Sequence, residues 1–397
     1  MQRKPVIFED LEHRRLLTGY TPAQIETAYG FNQISFDGGT VAGSGQGQTI
    51  ALIETYNDST LVQDLDNFDA AYGLQNPGST WSLSVVGENG GAPPTTSSTG
   101  SATLETALDL EWAHAIAPQA NILVVEASSA YDSDLDAAVQ YAASATGVST
   151  VSISYVRQEE SSVDLSENSV FTTPANHQGV TFVAASGDDE IVTYPSASPN
   201  VLGVGGTTLT LNADNSYNSE TVWNDSYGAT GGGHSKYELE PAYQAFEGII
   251  YRTTPDVAFD ADPATGFDIY ANGVDSPEVV GGTSAGAPAW AALLAIADQG
   301  RVLNGLGTLD GPSQTLPMLY DLLGTPLYSQ AFNDVTVGDN GRVSAGPGYD
   351  RVTGLGTPQA NVLVQYLAGD ISVPEPATVA MCLSAGVLIL RRPRRSA

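Results

Sequence analysis

A candidate nucleophile lies in the segment Gly281-Gly-Thr-Ser-Ala-Gly-Ala-Pro288, where a glycine-rich turn leads a serine into an apolar helix. The free backbone N–H groups and the dipole of a helix N-terminus favour negative charge at a reacting centre. Pro288 suits the first turn, because its missing N–H is not needed there. Ser284 is therefore a candidate for covalent catalysis. The other interpretation is a helix N-cap, a position where serine is common.

A serine nucleophile needs a base, and a pair of carboxylates offers one. None of the four histidines lies in a motif typical of a catalytic histidine, and His114 is expected to be a packed helical residue. Glu105 and Asp109 are four residues apart on a predicted helix, so they share one face. Two carboxylates this close repel each other unless they share a proton. The alternative is a solvated acidic face, to which Glu111 would add an exposed acid.

A third candidate follows the apolar segment 180–185, which ends in Ser186-Gly-Asp188. Asp188 could be an ordinary turn residue, since Asp is frequent in turns. It could also be a protonated carboxyl that donates a hydrogen bond to an oxyanion, as a neutral Asp can.

Alternating strands and helices must position these residues. Apolar runs predict strands at 49–54, 81–86, 121–126, 150–155 and 180–185, and periodic patterns predict helices at 59–73, 102–117, 133–145 and 165–179. Elements in this order predict an α/β fold with a doubly wound, mostly parallel sheet and helices on both faces. Catalytic groups in such folds gather at the carboxyl ends of the strands. We expect one domain, from residue 20 to residue 368.

These motifs together resemble the sedolisin family of serine-carboxyl peptidases, which have a subtilisin-like fold. The family's SGTSxSxP motif is matched by the segment around Ser284, its ExxxD helix by Glu105 and Asp109, and its SGD strand end by Asp188. The resemblance covers about residues 20–368. It implies a Ser-Glu-Asp triad, an acyl-enzyme and Asp188 as the oxyanion donor, in an acid-active peptidase that acts on proteins or peptides.

The resemblance also implies one structural calcium ion. The segments Phe332-Asn-Asp-Val335 and Ala345-Gly-Pro-Gly-Tyr-Asp350 match the family's site. The implied ligands are the carboxylates of Asp334 and Asp350 and the backbone carbonyls of Val335, Gly346 and Gly348. Oxygen ligands of this kind suit Ca²⁺. The alternative is a glycine-rich surface turn.

Two features depart from the family pattern. Members usually carry a long, separately folded prosegment, whereas about 19 residues precede the matching region here. Tyr155 stands where the family often has Trp, beside the expected active site. We expect that this exchange affects substrate preference or the surroundings of Glu105 and Asp109.

Composition excludes several classes of protein. The 397 residues carry a formal net charge of −31, which argues against a nucleic-acid partner, because phosphate binding needs basic patches. A single cysteine, Cys382, allows no disulfide within the chain, and the four histidines show no zinc-ligand spacing. We expect a monomer.

Both ends of the chain resemble export signals. Residues 1–19 resemble a short leader found on exported bacterial proteins. The box Val373-Pro-Glu-Pro376, the apolar run 377–390 and the cluster Arg391-Arg-Pro-Arg-Arg395 resemble a PEP-CTERM sorting tail. The run is short for a membrane span, which needs about 17–25 residues. We expect an exported, extracellular or cell-surface protein whose segment 369–397 is a linker followed by a sorting signal from Val373. This signal associates transiently with a membrane before a processing peptidase removes it. The other interpretation is an ordinary C-terminal anchor.

The sequence therefore predicts a secreted serine-carboxyl peptidase. The competing hypothesis is a catalytically weak pseudo-peptidase that serves as a surface binding module. A histidine-dependent subtilisin would need a motif such as HGT, which the sequence lacks.

Overall fold

The computed structural model describes residues 19–373. The predicted leader, apart from Gly19, lies outside the described residues, as does the predicted sorting tail from residue 374, including Cys382.

An eight-stranded sheet forms the centre of the molecule. Its strands are β1 (Thr49–Thr55), β2 (Leu83–Gly87), β3 (Asn121–Ala127), β4 (Val148–Ile153), β5 (Thr181–Ala185), β6 (Val201–Leu211), β7 (Tyr217–Val222) and β8 (Val257–Asp260). The order across the sheet is β7-β6-β5-β4-β1-β3-β2, and β8 also pairs with β6. All pairings are parallel except that between β6 and β7. The predicted doubly wound, mostly parallel sheet is confirmed.

Helices cover both faces of this sheet. They are α1 (Pro22–Tyr29), α2 (Leu61–Tyr72), α3 (Ser101–Ile116), α4 (Asp132–Ser144), α5 (Ser161–Glu167), α6 (Gly286–Leu303), α7 (Leu316–Asp321), α8 (Tyr328–Ala331) and α9 (Ala360–Ala368). α3 and α6 pack on one face, and α4 packs on the other. Two cores result, one on each face of the sheet.

Short antiparallel pairs of strands complete the fold. The pairs are Ser35–Phe36 with Val41–Ala42, Arg157–Gln158 with Thr193–Tyr194, Gly233–Leu239 with Tyr251–Thr254, Phe267–Ile269 with Glu278–Val280, and Phe332–Asn333 with Thr357–Pro358. Among the described residues, no helix is both long and apolar enough to cross a membrane.

The chain crosses from one half of the sheet to the other around β1. From β1 it proceeds to β2 and β3 on one side, and then to β4, β5 and β6 on the other. Such a reversal of strand order leaves a crevice at the carboxyl ends of the strands on either side of it. The candidate catalytic residues lie on the elements around this crevice.

Two sequence-based expectations about helices are wrong. The predicted helix at 165–179 is instead α5, which ends at Glu167. Turns and irregular chain follow, and Pro174 lies among them. A helix cannot continue easily through this residue, because proline cannot donate the backbone hydrogen bond that a helix needs. The expectation that Glu111 is an exposed acid also fails, because α3 is buried from Ala102 to Ile116 and Glu111 is 0% exposed.

Candidate active site

Ser284 lies in a single turn, Thr283–Ala285, that leads directly into α6. Gly282 opens this turn with a φ of +131°, a conformation that L side chains rarely adopt. Gly286 begins α6 against the sheet, where an added Cβ would lie 2.6 Å from Val204 Cγ1. The glycines therefore let the serine approach the carboxyl end of the sheet closely. Ser284 Oγ lies 3.5 Å from the carbonyl oxygen of Ser154, to which it donates.

Glu105 and Asp109 lie on one face of α3, as predicted, and both are buried. The Glu105 carboxyl interacts with the hydroxyl of Ser284, and the negative charge of Asp188 also acts on it. Burial, followed by the charge of Asp109, raises the pKa of Glu105 well above its usual value. Burial also raises the pKa of Asp109 to about 7. Since both carboxyls resist ionisation, they are suited to holding and exchanging a proton.

A third carboxyl, Glu54, joins this pair and was missed by sequence reasoning. It lies near the carboxyl end of β1 and is 1% exposed. Its carboxyl interacts with Asp109, and one oxygen accepts from Thr106 Oγ1 at 3.1 Å. Burial, then the charges of Asp109 and Glu105, raises the pKa of Glu54. The available signal was an acid in an otherwise apolar strand, at the edge where catalytic groups gather.

Asp188 follows β5 and is held against the nucleophile turn. Its Oδ1 accepts hydrogen bonds from the backbone N–H of Thr283 at 2.8 Å and from Thr283 Oγ1 at 2.9 Å. The residue before Ser284 thus fixes the Asp188 carboxyl. The structure therefore brings together all four residues that the sequence proposed for catalysis.

Positive charge is scarce around these carboxyls. The sequence has no Lys or Arg between Arg15 and Arg157, so His114 is the one side chain of that stretch that can become a cation. His114 is fully buried, its Nε2 lies 3.3 Å from Asp69 Oδ1, and its ring stacks on Trp81 with centroids 4.1 Å apart. It is a packed residue, as expected, and the Asp69 carboxyl beside its ring belongs to α2.

Tyr155 points away from this cluster. Ile153 and Tyr155 lie in the core on the α4 face, whereas the Ser154 hydroxyl donates to Asp109 on α3. Charged neighbours of Tyr155 are Asp136 and Arg157. Tyr155 therefore lies on the far side of the sheet from Ser284.

The expected calcium loop closes around its two carboxylates. Asp334 Oδ2 accepts from the backbone N–H of Gly348 at 2.9 Å, and Asp350 Oδ2 accepts from that of Gly346 at 3.0 Å. Burial, and then the negative charges of Asp334 and Asp350, raise the pKa of the Tyr328 hydroxyl. Neither carboxylate forms an ion pair within residues 19–373.

These residue types suit a hard cation, because two carboxylates without an ion pair in the described part of the chain lie in one loop with backbone carbonyls. The oxygens of Asp350 also accept hydrogen bonds from the backbone N–H groups of Val352 and Thr353. The described residues contain no group of three or more His, Cys, Asp or Glu side chains that could hold a metal ion. The expected set has only two such side chains, so its remaining ligands would have to be the carbonyls of Val335, Gly346 and Gly348.

Comparison with known proteins adds an independent finding. The profile of the Subtilase family matches residues 85–304. Kumamolisin from a Bacillus species is 34% identical over 93% of this chain and 67% of its own length. Sedolisin from a Pseudomonas species is 29% identical over 88% of this chain and 61% of its own length. The chain thus spans between 61% and 67% of these two relatives.

Solved structures agree with the sequence comparison. The structure of Pseudomonas sedolisin, described as a serine-carboxyl proteinase, superposes with a TM-score of 0.74 at 28% identity. The match covers 89% of this chain and 99% of that one. A psychrophilic protease with 19% identity and a TM-score of 0.52 shares the fold.

Proposed function

This chain belongs to the sedolisin family of subtilisin-like serine peptidases, and we propose that it hydrolyses peptide bonds of proteins at acid pH, with Ser284 as the nucleophile. The observation that carries the proposal is the convergence of Ser284, Glu105, Asp109 and Asp188, which come from three separate parts of the chain. A serine beside buried carboxyls, with no histidine among their contacts within residues 19–373, supports a carboxylate base.

The geometry supports a defined role for each residue. Ser284 Oγ attacks the scissile carbonyl, and Glu105 accepts its proton as the new C–O bond forms. Asp109 holds Glu105 through their shared proton. Asp188, protonated and fixed by Thr283, donates a hydrogen bond to the developing oxyanion. Glu105 then returns the proton to the leaving amine, and water releases the acyl group by the same steps in reverse order.

Acid dependence follows from two opposing demands on carboxyl groups. Glu105 must be ionised to act as the base, so activity rises as the pH passes its pKa. Asp188 must be protonated to donate, so activity falls as that proton is lost. We expect a bell-shaped profile of kcat/KM with its maximum at roughly pH 3–5. Burial raises the pKa of Glu105, which moves the acid limb of the profile towards higher pH.

Digestion of a denatured protein between about pH 3 and pH 8 measures this profile. Asp188→Asn should retain part of the activity and extend it towards neutral pH, because an amide donates at any pH. A wild-type maximum near about pH 8, or an Asp188→Asn profile that superposes on the wild type, would contradict the assignment.

We also propose that Asp334 and Asp350, with the carbonyls of Val335, Gly346 and Gly348, hold one structural calcium ion. An ion that binds only the folded state stabilises it, by about 2.7 kcal/mol at a concentration 100-fold above its dissociation constant. EDTA should therefore lower the Tm of the wild type.

The variant Asp334→Asn provides the test of specificity. It should melt at a lower temperature than the wild type in calcium, and EDTA should cause little further change. Asp339→Asn, in the neighbouring turn where Asp339 Oδ1 accepts from Gly341 N, is the control and should keep the wild-type response. A wild-type melting curve that EDTA leaves unchanged removes calcium from the account.

We propose further that the protein is exported as a monomer and that residues 369–397 form a linker followed by a sorting signal that begins at Val373. This signal associates with the membrane transiently and is dispensable for activity. The order of the Val373-Pro-Glu-Pro376 box, the apolar run and the arginine cluster supports this. Intact-mass analysis of protein from the native cell surface should give a product that has lost the arginine cluster. A mature chain that still ends at Ala397 would argue against the signal.

A further inference from the structure

We propose that Ser154 is a positioning residue that orders the carboxyl pair Glu105 and Asp109 for proton transfer. The proposal rests on the proposed peptidase function. Ser154 is the first residue after β4 and is 6% exposed. Because β4 lies next to β1 in the sheet, its carboxyl end opens onto the crevice that holds the candidate catalytic residues.

Ser154 contacts each of the three residues proposed as the triad. Its Oγ donates to Asp109, with distances of 3.0 Å to Oδ1 and 2.8 Å to Oδ2. The same hydroxyl interacts with the Glu105 carboxyl. Its backbone carbonyl accepts from Ser284 Oγ at 3.5 Å. One residue thus connects the nucleophile, the base and the second carboxyl.

A hydroxyl is chemically suited to this position, because it donates one hydrogen bond and accepts two. Its single hydrogen is directed at Asp109, which favours the ionised form of that carboxyl. Glu105 and Asp109 share one proton and one negative charge, and the hydroxyl stabilises that charge. It therefore keeps the pair ionised, so that Glu105 can accept the proton of Ser284, with no covalent change at Ser154.

This arrangement has a consequence that a purely structural role lacks. A donor to the charged form lowers a carboxyl's pKa, and the contact with Ser154 lowers the pKa of both Asp109 and Glu105 against the opposing effect of burial. Removing the hydroxyl should therefore raise both pKa values. The base would then ionise at higher pH, and the acid limb of the activity profile would move upward.

The strand itself supplies a matched control. Ser152 lies two residues earlier, is 0% exposed, and has a side-chain hydroxyl with no hydrogen-bond partner in the described part of the chain. Residues two apart in a strand share a face, so Ser152→Ala makes the same chemical change on the same side of the sheet. Ser154→Thr keeps the hydroxyl and suits a strand end.

The experiment compares kcat and KM against pH for the wild type, Ser154→Ala, Ser154→Thr and Ser152→Ala. We expect Ser154→Ala to lower kcat up to roughly 100-fold with little change in KM. The acid limb of its activity profile should move to higher pH by about one unit, since losing a hydrogen bond to a charged group changes a pKa by about one unit. Ser154→Thr should restore both properties, and Ser152→Ala should match the wild type.

A second measurement is independent of turnover. Carbon-13 NMR follows the titration of aspartate carboxyl groups, with Asp109 assigned through Asp109→Asn. The Asp109 resonance should titrate at higher pH in Ser154→Ala than in the wild type. An unchanged titration overturns the proposal whatever the wild type hydrolyses, and so does an activity loss with the acid limb unmoved. A wild type without peptidase activity overturns the proposed function instead, and the titration then decides whether Ser154 orders the carboxyl pair.

Discussion

Ser284→Ala should abolish peptide hydrolysis while the protein still folds. The hydroxyl is needed only for attack on the substrate, and without it no acyl-enzyme forms. Removal of a catalytic serine in a comparable triad costs roughly a factor of 10⁶ in kcat. Digestion of a denatured protein at the wild-type pH optimum measures the loss, and a melting curve checks the fold.

Ser144→Ala is the control for this change. Ser144 ends α4 on the other face of the sheet and donates its hydroxyl to the carbonyl of Tyr141 at 2.9 Å. It should retain wild-type turnover. If purified Ser284→Ala hydrolyses peptides at the wild-type rate, Ser284 is not the nucleophile. If neither the wild type nor Ser284→Ala hydrolyses peptides, the binding-module hypothesis gains support.

Glu105→Gln should lower kcat/KM by about 10²- to 10⁴-fold, the range that general acid–base catalysis contributes. Glutamine keeps the size of the side chain but cannot accept the proton of Ser284. Asp109→Asn should also lower activity, because the amide cannot share a proton with Glu105. Steady-state kinetics across the pH profile measures both effects, and full activity in Glu105→Gln would exclude it as the base.

The same helix provides a closely matched control in Glu111→Gln. Glu105 and Glu111 are both buried in α3, and each has one carboxyl oxygen without a hydrogen-bond partner among residues 19–373. Glu111 accepts from the backbone N–H of Tyr270 at 3.0 Å and lies near Asp64 and Asp69. Its replacement should leave turnover at acid pH unchanged. Equal losses of activity in Glu105→Gln and Glu111→Gln would mean that losing a buried carboxyl from α3, rather than losing the base, explains the effect.

Glu111→Gln should also change how the stability of the protein depends on pH. Burial raises the pKa of Glu111 well above its usual value, so the folded protein keeps this proton to higher pH than the unfolded chain does. The stability that this bound proton contributes is fully present below about pH 4.3, the pKa of a glutamate in the unfolded chain. It is lost as the pH rises towards the folded value. Glu111→Gln should therefore melt close to the wild type at acid pH and above it at neutral pH.

Local features of the active site were determined by the sequence alone. Spacing of four residues places Glu105 and Asp109 on one helical face wherever that helix lies. The glycines around Ser284 dictate a tight turn before a helix, and the alternation of apolar runs dictates a parallel sheet. These properties depend on residues close together in the chain. Local sequence therefore indicated the fold class and the candidate catalytic residues.

Only the tertiary structure decided which distant residues meet. Glu54 joins the carboxyl pair because β1 lies at the point where the strand order reverses, and Ser154 does so because β4 is the neighbour of β1. Glu111 is buried because α2 and the segment around Tyr270 cover the side of α3 away from the sheet. A helix surrounded on all sides loses the amphipathic pattern that would reveal which of its faces is exposed. Strand order and packing between elements set these contacts, and neither is encoded in the spacing of nearby residues.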